Sequence, residues 1–153
     1  MRTQRHERRT AVIAAAAAAL TLGTAGVAQA TPPTGEVSGT ILAEWDAFGK
    51  HYVHRLVYLG ADSATGWHYH DGTLYARVVQ GRLHHFDSDC EEDVPGPRDY
   101  YGAGQFILEP SGPGHVHIGM NKGQEQVILD VLYALPIGAP LSQDAPAPGC
   151  TLP

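Results

Sequence analysis

The sequence predicts an all-β sandwich or barrel. Three observations predict it: short runs rich in β-branched and aromatic residues, Gly and Pro corners at regular spacing, and no helix-period segment of useful length after residue 30. Residues 31–36 read as a flexible lead-in, and Gly39 to Trp45 as a short strand. Tyr52 to Leu59 alternates and is β-branched or aromatic, which suits a pleated, half-buried surface. Residues 60–63 are a turn, Trp67 to His70 begin another strand, and Asp71-Gly72 is a strong turn signal. Leu74 to Val79 and Arg82 to Phe86 flank Gly81 and read as a hairpin. Residues 87–99 form a polar loop, Gly104 to Leu108 a strand, and residues 110–114 a tight corner. His115 to Met120 and Val127 to Leu135 are the last strands, separated by Asn121-Lys122-Gly123. From Pro136 the chain is rich in Pro, Gly and Ala and reads as an ordered or semi-ordered tail. Tyr58, Phe106 and Tyr133 are strand core candidates, and Trp45 and Trp67 core or rim anchors.

Residues 1–30 have the layout of a secretory signal peptide. Arg2, Arg5, Arg8 and Arg9 form a positive start, an alanine-rich apolar stretch runs from Ala11 to Leu20, and Ala28-Gln29-Ala30 supplies small residues at a cleavage site. The alternative, an uncleaved anchor, needs ~20 strongly apolar residues, and this stretch is shorter and weaker. The Arg8-Arg9 pair hints at the twin-arginine route, with general secretion as the alternative. Cleavage after Ala30 leaves one domain of 123 residues, 31–153, secreted and without a membrane span.

The whole chain carries a net charge of −6, and losing the basic leader makes it more acidic. Such a surface repels phosphate backbones, which excludes nucleic acid as a partner class. Cys90 and Cys150 are the only cysteines, and an exported chain with two cysteines pairs them. That bridge closes a loop of about sixty residues, worth roughly 4 kcal/mol in the chain-entropy picture, and clips the tail to the body.

Two histidine blocks carry the chemistry. His68 and His70 are one residue apart, so on a strand they share a face. His115 and His117 form a second such pair. A histidine from the second block can meet the first pair and complete a metal site. His84 and His85 are adjacent and face opposite sides, so one can line the interior, while His51 and His54 read as surface or packing residues.

The two blocks resemble the motifs of the cupin superfamily. The first cupin motif is G-x5-H-x-H-x3,4-E-x6-G. His68, His70 and Gly81 match it, with Leu74 or Tyr75 at the acidic position and Gly60 two residues from the opening glycine position. The second is G-x5-P-x-G-x2-H-x3-N. Gly104, Pro110, Gly112 and His115 match it read forwards, and Asn121, His117 and Gly114 match it read backwards. The match spans about residues 40–136, with residues 137–153 as a Pro- and Gly-rich tail, and is similar to small exported cupins of actinobacterial type.

The resemblance implies a single-domain jelly-roll barrel with the site inside. It implies a divalent transition ion (Fe, Ni, Cu, Zn or Mn) on His68, His70 and His117, with His115 as the alternative third ligand. Leu74 in place of the glutamate points inward and would leave the ion its full charge, favouring anionic ligands. Asp71 can orient an imidazole as an acceptor, although turn formation explains it equally. Tyr75 reaches the interior only through a bulge.

The function implied is metal-dependent oxygenation, isomerisation or cyclisation of a small enolisable molecule. The alternatives are non-catalytic binding of a sugar or metabolite, and extracellular metal scavenging. Pairing of two barrels through their edges also follows from the resemblance.

Overall fold

The computed structural model describes residues 31–153; the signal-peptide reading falls on residues 1–30, outside the described residues. Eleven strands follow one another: β1 (Val37–Ala47), β2 (Lys50–Leu59), β3 (Ser63–Ala64), β4 (His68–Tyr69), β5 (Thr73–Gln80), β6 (Arg82–Asp87), β7 (Tyr101–Gly102), β8 (Phe106–Glu109), β9 (His117–Asn121), β10 (Val127–Pro136) and β11 (Gln143–Asp144). No helix occurs among the described residues, and none of them could cross a membrane as a long apolar helix. One sheet runs β1-β2-β10-β5-β8 and the other β11-β4-β9-β6-β7, with β3 added on β9. All pairings are antiparallel, as in a jelly roll.

The inward residues of the two sheets make the main core, including Val53, Leu59, Leu74, Val78, Leu83, Ile107, Val127, Val131 and Leu135. A second cluster, Ala64, Trp67, Phe86, Ile118 and Ala145, lies under the tail with Leu152 and Cys90 packed on it. Strand β9 is therefore covered on both faces. Ile118 and Met120 face that second cluster, and the alternation sends His117, Gly119 and Asn121 the other way.

The expected hairpin across Gly81 does not form. Strand β5 pairs with β8 and β10, whereas β6 pairs with β7 and β9, so Gly81 is where the chain leaves one sheet for the other. Its φ of +81° suits glycine, and a Cβ there would lie 2.8 Å from the Gln126 carbonyl oxygen.

The other corner of this kind, between β9 and β10, is held by Asn121. Its Nδ2 donates to the carbonyls of Leu59 (3.1 Å), Gly60 (2.8 Å) and Glu125 (2.8 Å), and its Oδ1 accepts from the Gly123 amide (3.0 Å). Asn121→Ala would orphan these groups. The expected loss is about 2–3 kcal/mol, since each buried unsatisfied group costs about 1–3. Urea unfolding measures it, and a loss under about 0.5 kcal/mol, the scale of ordinary surface changes, would contradict this role.

The tail is ordered structure. Cys90 and Cys150 are bridged with Cα atoms 6.0 Å apart. Strand β11 pairs with β4, and the Ala145 amide donates to the Trp67 carbonyl at 2.9 Å. The lead-in is tied down as well: Thr31 Oγ1 accepts from the Trp67 amide (2.7 Å), and Thr34 bridges Ala64. Among the aromatic candidates, Tyr133 and Trp67 are buried, and Tyr58 is half-buried. Phe106 is 74% exposed; Ile107 takes the inward place, because the strand alternates one residue out of phase with the expectation. Trp45 is exposed and stacks on Tyr52 at 5.4 Å.

Candidate metal centre

His68 and His117 are direct partners across the β4–β9 ladder, so both side chains stand on the inner face. His70 follows two residues after His68 and shares that face. The ring centroids lie 4.4 Å (68–117), 4.8 Å (68–70) and 5.2 Å (70–117) apart, and one ring nitrogen of each falls within 4.8 Å of the others.

Each ring is oriented the same way. Nδ1 of His68 donates to the Gly66 carbonyl (2.9 Å), Nδ1 of His70 to the Leu141 carbonyl (2.6 Å), and Nδ1 of His117 to the His115 carbonyl (3.0 Å). A carbonyl only accepts, so Nδ1 carries the hydrogen and Nε2 of the neutral ring keeps a lone pair. Gly66 makes the first bond available: its φ is +79°, and a Cβ there would strike the Thr31 carbonyl oxygen at 2.2 Å. Leu141 belongs to the tail, so the disulfide-clipped segment also fixes a site histidine.

The sequence reading missed Glu109. It is the direct ladder partner of Leu74, the inward leucine at the motif's acidic position. The carboxylate missing from β5 is thus supplied by the neighbouring strand on the same face. Glu109 Oε2 lies 3.1 Å from His70 Nε2 and 3.3 Å from His117 Nε2, while Oε1 lies 3.5 Å from His85 Nε2. The expectation of a centre without a carboxylate is therefore corrected. The available signal was alternation: Glu109 shares the parity of core Ile107.

Electrostatically the cluster is built for a cation. Burial, then the neighbouring His117 and His70, lowers the His68 pKa to about 3, so its ring is neutral near neutral pH. Burial would raise the Glu109 pKa, but His117, His70 and His85 together hold it well below the ordinary carboxylate value. Burial would also depress His85, and Glu109 with Asp93 and Asp87 overrides that and raises it. Around neutral pH the neutral His68 ring and the ionised Glu109 carboxylate then share one buried space. His117 Nε2 is buried with no hydrogen-bond partner among the described residues. A positive ion held between these nitrogens and the carboxylate would take up the ring lone pairs and the carboxylate charge together. The donor set of three imidazoles and a carboxylate suits a divalent transition ion.

The alternative third histidine, His115, does not join this group. Its Nδ1 lies 3.6 Å from Asp87 Oδ1, and its ring is 5.0 Å from that of His117. His85, one of the adjacent pair, lines the interior, while His84 pairs with Glu92 at 2.9 Å. His51 and His54 pair with Asp46 and Asp130, both at 2.6 Å, away from the centre.

Both supporting residues expected from the sequence are corrected. Asp71 accepts from Gln143 Nε2 at 2.7 Å and ties β11 to the turn; no hydrogen bond joins it to an imidazole among the described residues. Tyr75 is 54% exposed, because β5 keeps its register and turns that side chain outward.

The centre sits in a small inner cavity of about 60 Å³ walled by Val57, Leu74, Leu83, Leu129 and Val131. A larger cavity of about 250 Å³ adjoins it through His68, His70 and Tyr133, and reaches the tail at Leu141, Ser142 and Asp144. The Tyr133 ring meets His70 edge-on at 5.8 Å, and burial pushes its hydroxyl up to about 12, so it stays protonated.

No protein-family model matches the chain, and no curated protein matches it in sequence. Solved structures do resemble it. The polyketide cyclase RemF from Streptomyces resistomycificus superposes with a TM-score of 0.57 at 16% identity, over 75% of each chain. A predicted oxalate decarboxylase from Thermotoga maritima gives 0.52 at 21% identity, over 67% of this chain and 84% of that one. A cupin superfamily protein from Desulfitobacterium hafniense gives 0.50 at 12% identity, over 65% and 78%. At these identities the likeness is one of fold.

Proposed function

We propose, taking the cupin fold of this chain as the premise, that it is an exported metal-binding cupin acting on a small enolisable organic molecule. In this reading residues 1–30 are removed as a signal peptide, and the disulfide suits an oxidising compartment. His68, His70 and His117 would hold a divalent transition ion, with Glu109 as the fourth donor. One observation carries the reading: every site imidazole gives its Nδ1 hydrogen to a backbone carbonyl, and Nε2 atoms converge on a buried carboxylate.

When bound, the ion supplies Lewis acidity that acidifies a carbon beside a carbonyl and stabilises the enolate oxygen. The residues of the chain do the rest. Leu74, Leu83, Val57 and Leu129 exclude water and strengthen every charge interaction inside. Tyr133, protonated and beside His70, can donate a hydrogen bond to a substrate oxygen at the junction of the two cavities. Glu109, ionised, lowers the net charge of the centre by one and draws a divalent ion rather than a free anion into the inner cavity. Cyclisation, the reaction named for RemF, is among those such a centre serves.

The apolar inner wall equally suits binding without turnover, which is the second reading. The exposed edge strand β1, with Ile41, Leu42 and Trp45, is where two copies would pair.

The test is metal analysis of protein purified without a His tag, followed by oxygen uptake and product analysis on β-diketones, flavonoids and thiols. One ion per chain, lost in His70→Ala, together with turnover of one class, is the expected result. Binding without turnover selects the second reading. No ion in reconstituted wild type overturns the metal-dependent reading and leaves only binding without turnover.

A further inference from the structure

Arg55 is an arginine on the wrong face for a structural surface charge. On β2 it shares parity with Val53, Val57 and Leu59, all buried, and its ladder partner on β10 is the buried Val131. Its side chain lines the larger cavity together with His68, His70 and Tyr133. It lies near enough to the Tyr133 hydroxyl to pull that pKa down against burial. An inward guanidinium is costly unless paired with an anion. Yet Arg55 forms no ion pair among the described residues, where Arg77 pairs with Asp130.

Space for the guanidinium is kept open by Gly39 on β1. A Cβ at that position would lie 2.1–2.5 Å from Nε, Nη2 and Cζ of Arg55. Ordinary strand residues would fill this space, so the glycine leaves a slot for the fork. The chain as a whole is acidic at −6, and Asp144 lines the same cavity. An anion therefore enters only if a fixed positive group overcomes that field.

The geometry points to Arg55 as the anchor for the carboxylate of a small organic acid, held in the outer cavity with its other end toward the three histidines. The planar fork matches a carboxylate through two parallel N–H···O bonds. A cavity of about 250 Å³ falls below the ~300–1,000 Å³ of pockets for drug-sized ligands, so the acid is small. This inference rests on the reading of the histidine cluster as the reacting centre, and it narrows the substrate class from enolisable molecules to enolisable carboxylic acids.

The probe is malonate, with neutral malonamide as its control, titrated calorimetrically into zinc-loaded and metal-free protein. Wild type is expected to bind malonate in both states and to bind malonamide at least ten-fold more weakly. Arg55→Gln is expected to lose ten-fold or more in malonate affinity in both states while keeping its zinc. Arg55→Lys, which retains charge without the fork, should fall between. Equal malonate affinity in wild type and Arg55→Gln, or no preference over malonamide, overturns the proposal. If wild type takes up no zinc yet its metal-free malonate binding still depends on Arg55, the metal reading falls and the anchor stands. Should the variants fail to fold, phenylglyoxal labelling of wild type decides. Malonate must protect Arg55 while exposed Arg98 labels at an unchanged rate, and equal labelling of Arg55 with and without malonate overturns the anchor.

Discussion

Glu109→Gln is expected to weaken divalent-ion binding at least ten-fold and to lower the stability of the metal-free protein near neutral pH. The two effects have the same sign because the ionised carboxylate is favoured with the cation and without it. With a cation present, Oε2 at 3.1–3.3 Å from two Nε2 atoms adds a negative donor to the set. Without one, His117, His70 and His85 hold the carboxylate in its ionised form, its pKa well below the ordinary value, so the charge contributes stability to the folded state. A glutamine amide keeps the shape and removes the charge. Ten-fold in affinity is about 1.4 kcal/mol, modest for removing a charged donor. Chelator-competition titration and thermal melting of the metal-free protein read the two effects separately. Unchanged ion affinity would show that Glu109 only shapes the cavity, and unchanged metal-free stability would show that the folded protein does not favour the ionised carboxylate.

Metal-free protein should also lose stability steeply in mild acid. His68 is held at about 3 in the folded state, against 6.5 in an unfolded chain. Its folded value is depressed, so below pH 6.5 the unfolded chain takes up a proton that the folded one refuses. Stability is therefore present above about 6.5 and falls by up to ~1.4 kcal/mol per pH unit toward 3. Glu109, also held low, adds a loss of the same sign below its ordinary value of 4.5. His85 runs the other way: its pKa is raised, so its contribution is present below 6.5 and lost as pH rises through its folded value. The steepest decline is thus expected between about pH 6.5 and 3, and His68→Asn should flatten it by about one proton. Urea unfolding at a series of pH values measures the slope. An identical slope in wild type and His68→Asn would mean that the His68 ring is protonated in the folded protein.

Much of the fold can be read locally. Strand alternation, the Gly and Pro corners and the absence of helical periodicity predict an all-β domain, and the described residues form one. The His68 and His70 pair shares a face for the same local reason, and the later His-x3-Asn spacing selects His117 over His115. Asn121 serves in that spacing as the clasp of a corner rather than as part of the centre.

Alternation by itself, a period of two along one strand, determined which residues could point inward: His68, His70, His117 and Leu74. Which inward residues meet was decided only by the tertiary structure, because ladder register joins segments far apart in the chain and leaves no local mark. Register put Glu109 opposite Leu74, turned the expected hairpin at Gly81 into a passage between sheets, and left Tyr75 outside. The same long-range pairing brought the tail back to β4, so that the Leu141 carbonyl holds His70 in place.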